Sequence, residues 1–399
     1  MKILITTDWY APVINGVVTS VLNLEDELRK MGNEVKILTL SQSCRSYVKG
    51  DVTYIGSLGA GVIYPNARMK IPVRSKYITD LINWKPDIIH SQCEFSTFMF
   101  AKKISKTLGI PIVHTYHTVY EDYTHYFSPN QKWGKKAVMK FSRWITSSCE
   151  RVIAPTAKVS SMLEGYKISC PINVIPTGIK LDKFYKFNSE KVSAIKNKLG
   201  IQSSDFVMVY IGRLAEEKNV DELIKMEKKF ENSNIKLLIV GDGPYREKLE
   251  KLVDELEVSD RVIFAGMADP KDVADYYKCG DIFVSASSSE TQGLTYIEAL
   301  ASGLPVICKK DKCLDGIIDD VMNGFQYVNE SEFINVVSEL AEKPEYVHDM
   351  SINAFNSSKK FSCENFGKNV SEVYEKTIED YRKKSFDTAH REVLNNVGY

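Results

Sequence analysis

Two carboxylates flank a glycine in Ser289-Glu290-Thr291-Gln292-Gly293-Leu294-Thr295-Tyr296-Ile297-Glu298, eight residues apart. Carboxylates accept hydrogen bonds from hydroxyls, so such a pair suits a ligand with a sugar at one end and a ribose at the other. Gly293 permits close approach to the backbone, and the amides of Gly293, Leu294 and Thr295, at a helix start, would face a phosphate. A second charged group stands in Gly212-Arg213-Leu214 and Glu216-Glu217-Lys218-Asn219. Arg213 and Lys218 could clamp a diphosphate and neutralise the charge that grows as a sugar–phosphate bond breaks. Each group also has a plainer reading. Two glutamates at this spacing are more often a solvated loop residue and an exposed helix residue, and cations at a helix start are commonly surface charge.

These residues need strand ends to hold them. Residues 281–287 (DIFVSAS) and 206–211 read as buried strands, and residues 294–302 as a helix of small and aliphatic residues. Glu290 then lies above a strand's C-terminal end, where open α/β sheets bind ligands, and Glu298 about one turn into the helix. The chain opens on a β-α-β pattern: strand 2–8, helix 15–31, strand 34–40. Gly16 stands at that helix start and could approach a phosphate, although a plain strand-to-helix turn would also use it. Strands at 86–90 and 111–117 follow, with a helix at 96–108 between them. The second of these strands ends in His117, at the mouth of the sheet.

The 399 residues are long enough for two domains, and 44% hydrophobic with 26% charged residues is an ordinary globular balance. No apolar run reaches the roughly 18 to 20 residues of a spanning helix, so a cytoplasmic protein without a signal peptide is expected. Eight cysteines without a CxxC pair read as reduced thiols, not as a zinc site or disulfide framework. Net charge is zero but unevenly spread. Residues 1–180 carry 23 Lys and Arg against 13 Asp and Glu, and residues 181–399 carry 29 against 39. The first half therefore suits an anionic partner, of which a membrane surface fits better than nucleic acid.

Two stretches could meet such a surface. Residues 58–78 interleave Arg68, Lys70, Arg74 and Lys76 with Met69, Ile71 and Val73 and contain no acid. Residues 131–145 (QKWGKKAVMKFSRWI), projected as a helix, gather Trp133, Ala137, Val138, Phe141, Trp144 and Ile145 on one arc. Much of the other arc holds Lys132, Lys135, Lys136, Lys140 and Arg143. An interfacial helix has this form, and so does an amphipathic helix packed on its own domain. Residues 181–198, polar and lysine-rich, read as an interdomain linker.

The run SETQGLTYIEALASGLPVI resembles the E-x7-E signature of the retaining family 4 glycosyltransferases, and more narrowly the bacterial diacylglycerol glycosyltransferases. GRLxxEKN matches their donor-phosphate motif, and His117 their histidine beside the donor sugar. The aromatic run 117–126, with Tyr123 and His125, resembles the acceptor side of the diacylglycerol group; Asn15 stands where many family members have a second glycine. The resemblance implies the α/β GT-B fold, two Rossmann-like domains facing across a cleft. The N-terminal, acceptor- and membrane-facing domain would take residues 1–185 and the nucleotide-sugar donor domain 186–365. Helices at 366–399 would cross back to the first domain. It also implies transfer of a hexose, with glucose the expected one, from a UDP-sugar to diacylglycerol with retention, on the inner face of the cell membrane. Arg213 and Lys218 would bind the diphosphate, Glu290 the donor sugar and Glu298 the ribose; Gly16 and residues 293–295 would meet phosphate, with His117 near the sugar. The absence of a D-x-D motif argues against an obligatory metal at the diphosphate. An exopolysaccharide or capsule glycosyltransferase remains the alternative within the fold. A non-catalytic sugar-nucleotide-binding regulator remains the alternative outside this class, with intact Glu290, Arg213 and Lys218 against it. A nucleic-acid-binding module finds no recognition motif in the chain.

Overall fold

A computed structural model describes the chain except for residues 14, 60–67, 71–74, 122–130, 289 and 398–399, and the side chains of 131 and 388–397. The chain divides into two compact units, Met1–Gly178 with Cys363–Tyr399, and Ile179–Ser362.

The first unit begins β1 (Lys2–Thr6), α1 (Gly16–Lys30), β2 (Glu34–Leu40), β3 (Tyr47–Lys49) and β4 (Val52–Ile55). A small hairpin, β5 (Leu58–Gly59) with β6 (Arg68–Met69), precedes α2 (Lys76–Trp84). Then come β7 (Ile88–Ser91), α3 (Ser96–Leu108), β8 (Ile112–Thr115), α4 (Gln131–Thr146), β9 (Arg151–Ala154), α5 (Ala157–Gly165) and β10 (Ile172–Val174). The sheet order is β10-β9-β8-β7-β1-β2-β4-β3, parallel except for the edge strand β3. Strand order reverses beside β1, between β7 and β2, so the loops after β1 and β7 open at a topological switch point. Inner strands such as β7 and β8 are buried at every residue, as expected where helices cover both faces.

The second unit contains α6 (Asp182–Tyr185), α7 (Ser189–Lys198), β11 (Phe206–Ile211), α8 (Val220–Glu227), β12 (Ile235–Val240), α9 (Arg246–Glu255), β13 (Val262–Gly266) and α10 (Val273–Tyr277). β14 (Ile282–Ser285), α11 (Leu294–Ala301), β15 (Val306–Lys309), β16 (Gly324–Tyr327), α12 (Glu330–Glu342) and α13 (Pro344–Ser358) complete it. All six strands are parallel in the order β13-β12-β11-β14-β15-β16, the doubly wound arrangement with its switch point between β11 and β14. Alternate residues of β11 feed opposite cores: Val207, Val209 and Ile211 pack on one side, Met208 and Tyr210 on the other.

Residues 181–198 are not a linker. They form α6 and α7, and Phe184 and Val192 are buried in the second unit's core. Asn188 caps α7 by accepting from the Lys191 amide at 3.0 Å. Lysines fill the exposed faces, which is why the stretch reads as polar. The changeovers accordingly fall at 178/179 and 362/363, not at 185/186 and 365/366.

The final helix, α14 (Cys363–Val397), belongs to the first unit, where Phe366, Val370, Val373 and Tyr374 share a core with Val21, Leu24 and Leu28 of α1. The two helices pack so closely that a Cβ on Gly367 would stand 2.6 Å from the Cβ of Glu27. Gly367→Val should therefore destabilise the first unit by about 1–3 kcal/mol through overpacking. Calorimetry should show a lower melting temperature, with the exposed neighbour variant Lys368→Ala close to wild type.

Candidate functional site

The switch point of the second unit brings Arg213, Lys218 and Glu290 into neighbouring loops. After β11 the chain turns through Gly212-Arg213-Leu214, zipped to the loop after β12: the Gly212 amide donates to Val240 and the Leu214 amide to Asp242, each at 3.0 Å, and the Tyr245 amide donates to Leu214 at 3.0 Å. The backbones touch because side chains are missing. A Cβ on Gly241 would lie 1.9 Å from the Gly212 carbonyl oxygen, and one on Gly243 2.2 Å from that of Leu214. The peptide carrying Arg213 is thus held on both sides, while its side chain stays half exposed and pairs with Glu217.

A 3-10 turn, Glu216–Lys218, follows and ends at Asn219, whose positive φ of 51° starts α8 and whose Nδ2 donates to the Ala286 carbonyl at 3.2 Å. This turn delivers Lys218 to the next loop. Its Nζ lies 2.5 Å from Glu290 Oε1, and both side chains are largely buried. Tyr210 lies beneath: burial first, then Glu290 and Glu217, push its phenol up, with Arg213 acting the other way. Two carboxylates and the Arg213 guanidinium therefore act on one buried hydroxyl, which donates to the Arg213 carbonyl at 3.2 Å. Neither Tyr210 nor Glu217 was picked out from the sequence, since one reads as a strand residue and the other as a helix-start acid.

Gly293 caps α11 in the left-handed conformation, φ 70°, and a Cβ there would fall 2.5 Å from the Tyr296 ring. Tyr296 is itself buried and donates to Ser285 Oγ at 2.8 Å, so the α11 start rests on the end of β14. The first amides of a helix have no partner within it, which leaves the Leu294 and Thr295 end suited to an anion. Glu298 sits half-buried in α11 and accepts from the Tyr277 hydroxyl at 3.0 Å. Burial raises its pKa, and Lys183 of α6 and the Tyr277 hydrogen bond oppose the rise.

In the first unit, Gly16 is exposed as the first residue of α1, and Asn15 caps that helix by accepting from the Val18 amide at 2.9 Å. His117 lies just past β8, with Nε2 2.6 Å from Gln92 Oε1. Burial lowers its pKa to about 4, so the imidazole is neutral near pH 7, its Nε2–H donating to Gln92. Gln92 Nε2 lies 3.1 Å from both ring nitrogens of His90, whose Nδ1 meets the Tyr374 hydroxyl at 2.6 Å. A polar chain thus runs from α14 to His117. Asp8, after β1, accepts from the Thr97 amide at 2.8 Å, and burial pushes its carboxyl up to about 6. Glu94, after β7, accepts from the Tyr120 hydroxyl at 2.7 Å. Asp8, Gln92 and Glu94 were not foreseen. Their signal is position: each follows a strand at the first unit's switch point.

α4 buries a different arc from the one projected. Gly134, Val138, Ser142 and Ile145 face the unit, while Trp133, Ala137 and Trp144 are exposed beside Lys132, Lys135, Lys136 and Lys140. The apolar arc is wider than the contact that covers it. Arg143 donates from Nε to the Tyr166 carbonyl at 2.5 Å, and Lys135 pairs with Glu121 at 3.0 Å, so these two are tied to the unit. Arg68 is folded onto Ser57, 2.7 Å from both its hydroxyl and its carbonyl oxygen. Tyr123, His125, Ile71, Val73 and Arg74 lie outside the described residues.

Two outcomes are expected of donor turnover. Glu290→Gln and Lys218→Ala, which each break the buried pair, should lower kcat by about a hundredfold or more, the scale for one preorganised electrostatic group. Because His117 is neutral down to about pH 4, it should contribute no titration step between about pH 5 and 8. A pH–rate step near 6.5 that disappears in His117→Asn would contradict this.

Residues 14–183 match the family described as Glycosyltransferase Family 4, and residues 191–357 match Glycosyl transferases group 1. Among curated proteins, the chain is 34% identical to the alpha-monoglucosyldiacylglycerol synthase of Acholeplasma laidlawii, covering 96% of this chain and 99% of that one. It is 36% identical to the enzyme of the same name from Streptococcus pneumoniae, over 94% and 85% of the two chains. Among solved structures, Anabaena HepE in complex with UDP-glucose superposes with a TM-score of 0.73 at 16% identity, over 94% of this chain and all of that one. Matches over both units, relatives above 30% identity along nearly the whole chain, and two parallel α/β sheets lead to one conclusion: the chain belongs to the family 4 glycosyltransferases of GT-B fold.

Proposed function

We propose that this glycosyltransferase moves glucose from UDP-glucose to the 3-hydroxyl of diacylglycerol, with retention of the anomeric configuration, producing a membrane glycolipid. The observation that carries this reading is the near full-length similarity to two proteins named alpha-monoglucosyldiacylglycerol synthases. The geometry supports the donor half. Arg213 and Lys218 stand at the switch point of the second unit, where a diphosphate would replace the carboxylates of Glu217 and Glu290 as their partner. Glu290, released from Lys218, can then accept hydroxyls of the donor sugar. Charge that builds on the leaving diphosphate meets two cations already fixed in place, which is where electrostatic preorganisation acts.

Glu298, held by Tyr277, suits the ribose, and the α11 amides suit phosphate oxygens; Gly16, exposed at the start of α1, is given a phosphate role by the family resemblance. The acceptor hydroxyl attacks on the face from which the diphosphate leaves, and the departing phosphate oxygen takes up its proton. His117, neutral and anchored through Nε2, has Nδ1 free of that hydrogen bond and can accept one from a sugar hydroxyl. The diphosphate needs no metal in this scheme.

No helix among the described residues is long and apolar enough to cross a membrane. Binding to a bilayer from one side is supported by the exposed Trp133 and the lysines of α4, each basic residue contributing on the order of 1 kcal/mol near an anionic surface.

Purified protein incubated with labelled UDP-glucose and diacylglycerol in liposomes should yield labelled glycolipid, undiminished by EDTA. Label released only as free glucose would overturn the acceptor and keep the donor. Replacing Lys132, Lys136 and Lys140 together by Ala should reduce sedimentation with anionic vesicles in a salt-dependent way, with little change on neutral ones.

A further inference from the structure

The aromatic side chains between α3 and α4 are only partly covered. Phe95, at the N-cap of α3, is 53% exposed, and Trp144 of α4 is 44% exposed. Phe95 stacks on Phe141 with ring centroids 5.7 Å apart, Tyr120 stands edge-on to Phe95 at 6.3 Å and to Phe141 at 5.9 Å, and Phe141 stacks on Trp144 at 6.2 Å. Four rings thus form one continuous apolar surface, of the kind that marks a binding site when it is left open.

Its surroundings specify the partner. Neither α3 nor α4 carries an acidic residue, and together they hold seven lysines as well as Arg143. Lys102 Nζ lies 4.6 Å over the Trp144 ring, at the rim of the patch. Such a surface complements a partner that is apolar and reached through an anionic layer. Beneath the rings is a polar end. The Tyr120 hydroxyl donates to Glu94 Oε2 at 2.7 Å, while Glu94 Oε1 is buried without a hydrogen-bond partner, 3.4 Å from His114 Nε2 and outside hydrogen-bond geometry.

We propose that Phe95, Tyr120, Phe141 and Trp144 form the docking surface for the glyceryl ester and first acyl carbons of the lipid acceptor, with Glu94 as the positioning residue that fixes Tyr120 in it. This rests on diacylglycerol being the acceptor. The patch lies where the loops after β7 and β8 emerge, the end of the sheet that also holds His117. A lipid lying on the rings would bring its hydroxyl to that end without leaving apolar contact along its tail.

Dioctanoylglycerol below its aggregation limit isolates this surface from vesicle binding. Phe95→Ala should raise KM for it about tenfold, a loss of about 1.4 kcal/mol, with kcat, UDP affinity by calorimetry and melting temperature unchanged. Phe95→Leu should restore most of the loss, and Tyr120→Phe, which keeps the ring but frees Glu94, should raise KM about threefold. In parallel, a diazirine-bearing dioctanoylglycerol photolysed with wild-type protein should label peptides that contain Phe95, Tyr120, Phe141 or Trp144. Label elsewhere, or an unchanged KM in Phe95→Ala, would overturn the proposal, as would dissociation of a dimer by that variant, which would make the patch a contact between copies. Label on the patch without glucosylation by the wild type would instead overturn the acceptor reading and leave a lipid-binding surface. Turnover with the label elsewhere would do the reverse.

Discussion

Lys218 and Glu290, 2.5 Å apart and largely buried, are the contact that joins the loops after β11 and β14. A buried pair gains little net stability, because desolvation offsets the attraction, but removing one partner strands the other's charge. The pair is therefore held in place by its surroundings as much as it holds them. Its Lys arrives on a 3-10 turn that Asn219 ties to the end of β14, and its Glu stands in the loop that follows the same strand. In the reaction proposed above, a diphosphate takes the place of the Glu carboxylate and the cations carried by these loops face the leaving group.

What keeps those loops rigid is backbone contact. Gly241 and Gly243 let the turn after β12 touch the turn after β11, where a Cβ would strike the Gly212 or Leu214 carbonyl. On the other side, Tyr296 fills the space under Gly293 and fastens α11 to β14. The side chains proposed to act here, Arg213, Lys218 and Glu290, are long and flexible, so the precision of the site comes from the peptides that carry them.

The first unit solves a different problem. His117 is kept neutral by burial and oriented by Gln92, which meets His90, which in turn meets Tyr374 of α14. A helix from the far end of the chain therefore completes the polar layer behind the histidine as well as the hydrophobic core. The cost of leaving any of these buried groups unpaired explains why the chain is continuous from Tyr374 to His117.

Much of this was legible in the sequence because parallel α/β units repeat a simple pattern. Buried strands, helix starts and the motif around Gly293 placed Arg213, Lys218, Glu290 and Glu298 at strand ends and a helix start by local spacing alone. The lysine-rich residues 181–198 misled, since the two buried residues that matter most, Phe184 and Val192, are outnumbered by surface lysines. For α4 the periodicity was right about amphipathicity and silent about direction, because a wide apolar arc does not say which part of it a neighbour will cover. Family, fold and the types of charge at the donor site were determined by the sequence. Which charges meet was decided only in three dimensions, by strand order: 72 residues separate Lys218 from Glu290, and only the adjacency of β11 and β14 brings them together.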